Sequence, residues 1–146
     1  MQTEIEQLQQ KEKRFGRALL ILTTLVLLFH VCVLFGLVPN EWVWAGKATE
    51  KSTLLLLETV SIVMNLVLML AVASKLKLVA GGMNKKLQTI LLWIFVFVFA
   101  LNTIGNLFAE TKVERTFSGL TLLYVILLAR FIRAGKDIEA NLADEE

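Results

Sequence analysis

TLLLLETVSIVMNLVLMLAVAS, residues 53–74, decides the fold. Its one formal charge is Glu58, set in a run otherwise suited to hydrocarbon. A helix needs about 20 mostly apolar residues to cross a bilayer, and this stretch is long enough. Three others match it: residues 18–38 (ALLILTTLVLLFHVCVLFGLV), residues 87–109 and residues 116–134. The first and third are uncharged when His30 is neutral. The fourth carries Arg130 and Arg133 in its last turns, where long cationic side chains reach headgroups.

The composition agrees. Of 146 residues, 56% are hydrophobic and 19% charged, and mean hydropathy is +0.67. Soluble domains have about 45–50% apolar and about 25% charged residues. A soluble enzyme, a disordered tail and a disulfide-stapled secreted module are excluded. The net charge of +2 is too balanced for nucleic-acid binding. Cys32 is the one cysteine, so neither an internal disulfide nor a CxxC redox pair can form. His30 is the one histidine, and its spacing from Cys32 turns the two to different sides of a helix. No other cysteine or histidine completes a tetrahedral set, so no metal site or cofactor is expected. Residues 18–38 outrun a signal-peptide core and lack a small-x-small cleavage site, which makes them an uncleaved anchor.

These features predict an all-α protein, an antiparallel four-helix transmembrane bundle forming a single membrane domain over residues 1–146. Pro39 marks the first stop, and Gly81 and Gly82 mark a turn. Short connections make consecutive helices antiparallel neighbours. Residues 1–17 read as a helical extension with Ile5, Leu8 and Phe15 on one face, a solvated helix end more than a partner-docking one. Residues 137–146 form an acidic tail expected to fray.

Lys and Arg set the direction. One side holds Lys11, Lys13, Arg14, Arg17, Lys75, Lys77, Lys85, Lys86, Arg130, Arg133 and Lys136. The other holds only Lys47, Lys51, Lys112 and Arg115. The richer side is cytoplasmic, giving an N-in, C-in topology with outer loops at residues 39–52 and 110–115. Trp42 and Trp44 then lie at the outer boundary as interface anchors, with a lid as the alternative reading.

Polar residues in hydrocarbon are costly and turn inward. Glu58, Ser61 and Asn65 share a stripe of the second helix, and Asn102 and Asn106 share one of the third. Ser118, Thr121 and Tyr124 recur along the fourth, and His30 shares a face with Thr23 in the first. At about 1.5 Å per residue, Glu58 lies about 8 Å outward of its span's midpoint, Asn102 and Thr121 about 6 Å, His30 about 3 Å and Tyr124 about 1.5 Å. Asn65 is near the midplane. The Phe95, Phe97 and Phe99 run reads as packing or lipid contact. The residues from Asn102 to Asn106, with Gly105 between them, read as a loosening helix end. The pattern predicts an outward-opening polar vestibule above an apolar plug.

The functional expectation is binding or transport of a small molecule or lipid in that vestibule. Glu58 and His30 form its protonatable pair, and Ser61, Asn65, Asn102, Asn106, Thr121 and Tyr124 orient the ligand. A non-enzyme is favoured, because no nucleophile motif, metal constellation or phosphate loop is present. Two alternatives stand: a membrane enzyme acting on a lipid with Glu58 as acid or base, and a structural subunit whose polar stripes join helices. The expected partners are membrane lipid and a second copy of the chain, which Gly36, Gly105 and Gly119 could let approach closely.

VPNEWVWAGK (residues 38–47) and LNTIGNLF (residues 101–108) resemble segments of small bacterial four-helix membrane proteins of unknown activity. That resemblance implies the bacterial inner membrane and a four-helix fold, and brings no activity. The architecture is also similar to the four-helix sterol-isomerase and sigma-2-receptor group, which combines intramembrane acids with a ligand cavity. Glu58 supplies one such acid, and no second aligns.

Overall fold

The computed structural model describes residues 2–39, 42–44, 50–109 and 111–144. Glu110, half of the VPNEWVWAGK segment including Lys47, and the last two residues of the acidic tail lie outside them. The described residues form four α-helices and no strand: α1 (Gln2–Leu34), α2 (Lys51–Lys75), α3 (Lys85–Leu107) and α4 (Lys112–Ala143). All four are long and apolar enough to cross a membrane.

Specific caps set the helix ends. Gly36, at φ 71°, stops α1 at Leu34 and not at residue 38. Its N–H donates to Val33 O and that of Leu37 to Cys32 O, both at 2.9 Å, closing a Schellman motif. Gly36 is therefore a helix stop, and Pro39 lies beyond the end. The same motif ends α2, with Lys77 at φ 58° in the position glycine usually takes. Gly81, at φ 67°, makes the expected turn. Beside it, Ser74 Oγ accepts the Met83 N–H at 2.6 Å, and Asn84 caps α3 by accepting the Lys86 N–H at 2.8 Å.

Three expectations about helix ends change. First, α3 runs unbroken through Asn102, Gly105 and Asn106, so the chain does not loosen there. Second, α4 starts at Lys112 and not at 116, because Thr111 accepts the Glu114 N–H at 3.2 Å and caps it. Third, the acidic tail is helical to Ala143. Gly135 is buried against Lys75 and Glu12, Lys85 reaches Glu139 at 3.2 Å, and Asn141 bonds back to Asp137 O, so the last turns have tertiary and local anchors.

The buried core groups Leu19, Leu68, Ala71, Val72, Leu92, Phe95, Tyr124, Leu128, Phe131 and Ile132. Close packing is strongest near the Lys75 end. Gly16 there has no room for a Cβ, which would lie 2.8 Å from Leu76 and 2.9 Å from Phe131. Lys75 pairs with Glu12 at 2.8 Å and lies over the Phe131 ring. Gln88 ties α3 to α2 through the Ala71 carbonyl at 3.3 Å.

The exterior is apolar. Ile21, Leu56, Val63, Leu70, Phe97, Ile104 and Ile126 are all exposed, with Leu56 and Phe97 at 64%. A soluble monomer rarely shows so continuous an apolar surface. In lipid the same surface is solvated, and helix association rests on packing and interhelical hydrogen bonds. Each helix packs on its two neighbours around the ring, and α2–α3 is the sparsest of the four contacts.

Candidate functional site: an acidic, aromatic-lined cavity

Away from the Lys75 end, the helices part around a cavity of about 570 Å³. All four contribute to its wall, and Trp42, Val43 and Trp44 from the α1–α2 connection complete it. Its centre of chemistry is Glu58, two turns into α2 and 1% exposed. A carboxylate buried so deeply needs partners, since an unpaired charge in low dielectric costs several kcal/mol. Glu58 has one on each oxygen. His30 Nδ1 lies 2.7 Å from Oε2, and the Trp44 indole N–H donates to Oε1 at 2.8 Å. Which of the two atoms donates in the His30–Glu58 bond depends on the imidazole tautomer.

Trp44 takes this position at φ 56°, a left-handed backbone uncommon for a bulky side chain. Its role differs from that of an interface anchor: the indole reaches down onto the buried acid. Trp42 is half exposed on the same wall.

His30, Glu58, Ser61, Asn65, Asn102, Asn106, Thr121 and Tyr124 all line the cavity. They do so in different ways. Thr121 is buried and bonded to Thr103, with hydroxyl oxygens 2.9 Å apart, and each threonine also reaches a carbonyl of its own helix. Tyr124 donates to Thr23 Oγ1 at 3.3 Å and stacks on Phe99, ring centroids 4.2 Å apart and planes 4° apart. Both side chains join helices as well as forming wall. Asn65 donates to the Ser61 carbonyl at 2.8 Å, while its own Oδ1 is buried and has no hydrogen-bond partner.

Asn102 lines the cavity and is at the same time exposed, and Asn106 is half-buried. The reason lies in the sparse α2–α3 contact. Val60 and Met64 on α2 and Asn102 on α3 are at once exposed and part of the wall. Leu25 on α1 is exposed on the wall too, so the cavity is open to the exterior at more than one seam, of which α2–α3 is the least closely packed.

A second acid faces the cavity. Glu114 is 8% exposed in the first turn of α4, and the Thr111 hydroxyl donates to its Oε2 at 2.8 Å. Reading residues 110–115 as a loop hid it. The signal was the T-x-x-E spacing of Thr111 and Glu114, a capping-box pattern that starts a helix. Thr23, the partner of Tyr124, lies on the face it shares with His30, whereas Thr103, the partner of Thr121, was hidden because threonine is unremarkable in an apolar run.

No family model, curated protein or solved structure matches the chain. The residues themselves therefore carry the functional argument. Among the described residues no group of His, Cys, Asp and Glu could hold a metal ion. What the site offers is a buried acid–base pair, a second acid, an unpartnered carbonyl oxygen and a set of aromatic faces.

Proposed function

We propose that the chain is an antiparallel, N-in and C-in four-helix membrane protein whose cavity binds a small molecule or lipid and serves its passage. The placement of Lys and Arg supports that orientation. Contacts at both ends support the antiparallel order: Glu12 near the start of α1 meets Lys75 at the end of α2, and His30 near the end of α1 meets Glu58 near the start of α2. In this orientation the cavity lies in the outer half of the bilayer, and its α2–α3 opening faces lipid.

The observation that carries the reading is Glu58, fully buried yet on the wall of a cavity of ligand size. Ligand sites of about 300–1,000 Å³ with mostly apolar walls and a few convergent polar groups are the usual form. Intramembrane acids are retained chiefly where they act on a substrate, an ion or a proton. A bundle held only by polar glue has its interhelical bonds at Thr103–Thr121 and Tyr124–Thr23, with no need of a buried carboxyl group beside a cavity.

Native mass spectrometry of the purified protein, wild type beside Glu58→Gln, tests this. A defined extra mass on the wild type that weakens in the variant is the expected result. Bare protein in both, with unchanged melting, would remove the Glu58 site and leave a structural subunit.

A further inference from the structure

We infer that the ligand of this cavity is a monovalent organic cation with an aromatic or branched apolar body. The inference rests on the reading of the cavity as a binding site and names the chemistry that site selects.

Charge gives the first argument. Glu58 lies fully buried on the wall, and among the described residues no Lys or Arg lines the cavity. Glu58 keeps a negative charge whenever it is ionised and His30 is neutral. In a low-dielectric site such a charge acts far more strongly than in water. A ligand cation can offset it; an anion would add to it.

Hydrogen-bonding capacity points the same way. Asn65 Oδ1 is a buried acceptor with no donor. The donors beside Glu58, His30 and the Trp44 indole, are already directed at its two oxygens. Asn65 Oδ1 is thus a buried acceptor on the wall left for a ligand to meet. A purely apolar ligand would leave the Asn65 oxygen unpaired in a dry site, which is unfavourable. An ammonium or other delocalised cation places positive charge against it.

The apolar wall supplies the third argument. Phe29, Phe95, Phe99, Phe117 and Trp42 line the same space. Phe29 meets Phe117 at 5.6 Å between ring centroids. Aromatic faces attract cations through their quadrupole, more strongly once water is excluded. They also accept the flat or branched apolar part of such a molecule. The α2–α3 opening gives an amphipathic cation a route from the bilayer without crossing the Trp42–Trp44 side.

A matched pair of ions tests the sign of the charge. Tetraphenylphosphonium and tetraphenylborate share size and shape and differ in charge. Calorimetry on the full-length protein in uncharged detergent should show saturable binding of the phosphonium and at least about tenfold weaker binding of the borate, a difference of about 1.4 kcal/mol. Glu58→Asp should keep phosphonium binding within several-fold, and Glu58→Gln should weaken it by about tenfold or more. The ion comparison needs only wild-type protein, so it stands even where a Glu58 variant fails to fold. Equal or tighter binding of the borate would overturn the inference, as would phosphonium binding unchanged in a folded Glu58→Gln. A co-purified neutral or anionic mass lost in Glu58→Gln, with no phosphonium binding, would overturn the cation and leave the binding site standing. Absence of any occupant together with no binding of either ion would overturn both.

Discussion

The Trp44 indole donates to Glu58 Oε1 at 2.8 Å from a backbone held at φ 56°. A connecting segment is thus fastened to the most buried acid of the bundle. Since the left-handed conformation costs about 1–2 kcal/mol for a non-glycine residue, the hydrogen bond and the packing beside it must offset that cost. This part of the cavity wall and the His30–Glu58 pair form one hydrogen-bonded unit.

Trp44→Phe should therefore destabilise the protein by about 1–3 kcal/mol, because it leaves a buried carboxylate oxygen without its donor. The same substitution should cost clearly less in a Glu58→Leu background, where the acceptor is already gone. Melting of the four proteins in detergent completes the cycle. Strictly additive losses would mean that Trp44 and Glu58 act independently.

Thr103 and Thr121 predict a smaller effect. Their hydroxyls bridge α3 and α4 at 2.9 Å, but each hydroxyl also reaches a carbonyl of its own helix. Interhelical hydrogen bonds in membranes average about 0.6 kcal/mol and reach about 1.7. Thr103→Val or Thr121→Val should fall in that range and leave phosphonium binding within a few-fold. A loss of binding without a loss of stability would assign Thr121 to the ligand instead.

The contrast between Glu58 and Glu114 explains what the sequence could reveal. Glu58 interrupts an apolar run, and a stripe with Ser61 and Asn65 follows from the helical period, so its inward position was legible. The spans themselves were legible for the same reason: hydrocarbon demands a length and a composition. Glu114 sits where an apolar run meets charged residues, and its burial on the cavity wall is a matter of helix packing that no periodicity reveals. Trp44 was ambiguous because an indole at a membrane boundary and an indole over a cavity have the same local sequence. The cap at Gly36 was not legible, because a glycine near a helix end reads the same whether or not it takes φ 71°. Asn102 pointed as the period required, and its exposure came from the α2–α3 gap, a property of helix packing and not of one helix.

Lys77 offers a stabilising substitution. It ends α2 at φ 58° with its side chain exposed, a position that favours glycine. Lys77→Gly should raise stability by about 1 kcal/mol by removing the Cβ conflict. A lower melting temperature would assign the lysine a contact worth more than its backbone strain, such as one with lipid headgroups.

The glycines inside the helices divide into two groups with opposite expected responses. A Cβ on Gly16 would press on Leu76 and Phe131, and one on Gly135 would meet Lys75 Nζ and Glu12. Gly16→Ala and Gly135→Ala should each cost about 1–3 kcal/mol, the usual penalty for overpacking, with Gly135 at the lower end because a lysine terminus can move. Gly105 and Gly119 have nothing within 4 Å of an added Cβ, and alanine is the better helix former by about 1 kcal/mol. For the isolated chain, Gly105→Ala and Gly119→Ala should leave melting unchanged or raise it. A second copy packed closely on either glycine reverses that sign. Melting at two protein-to-detergent ratios separates the cases: a penalty confined to the concentrated sample places the neighbour at that glycine, and a gain at both ratios shows that face to be lipid-exposed.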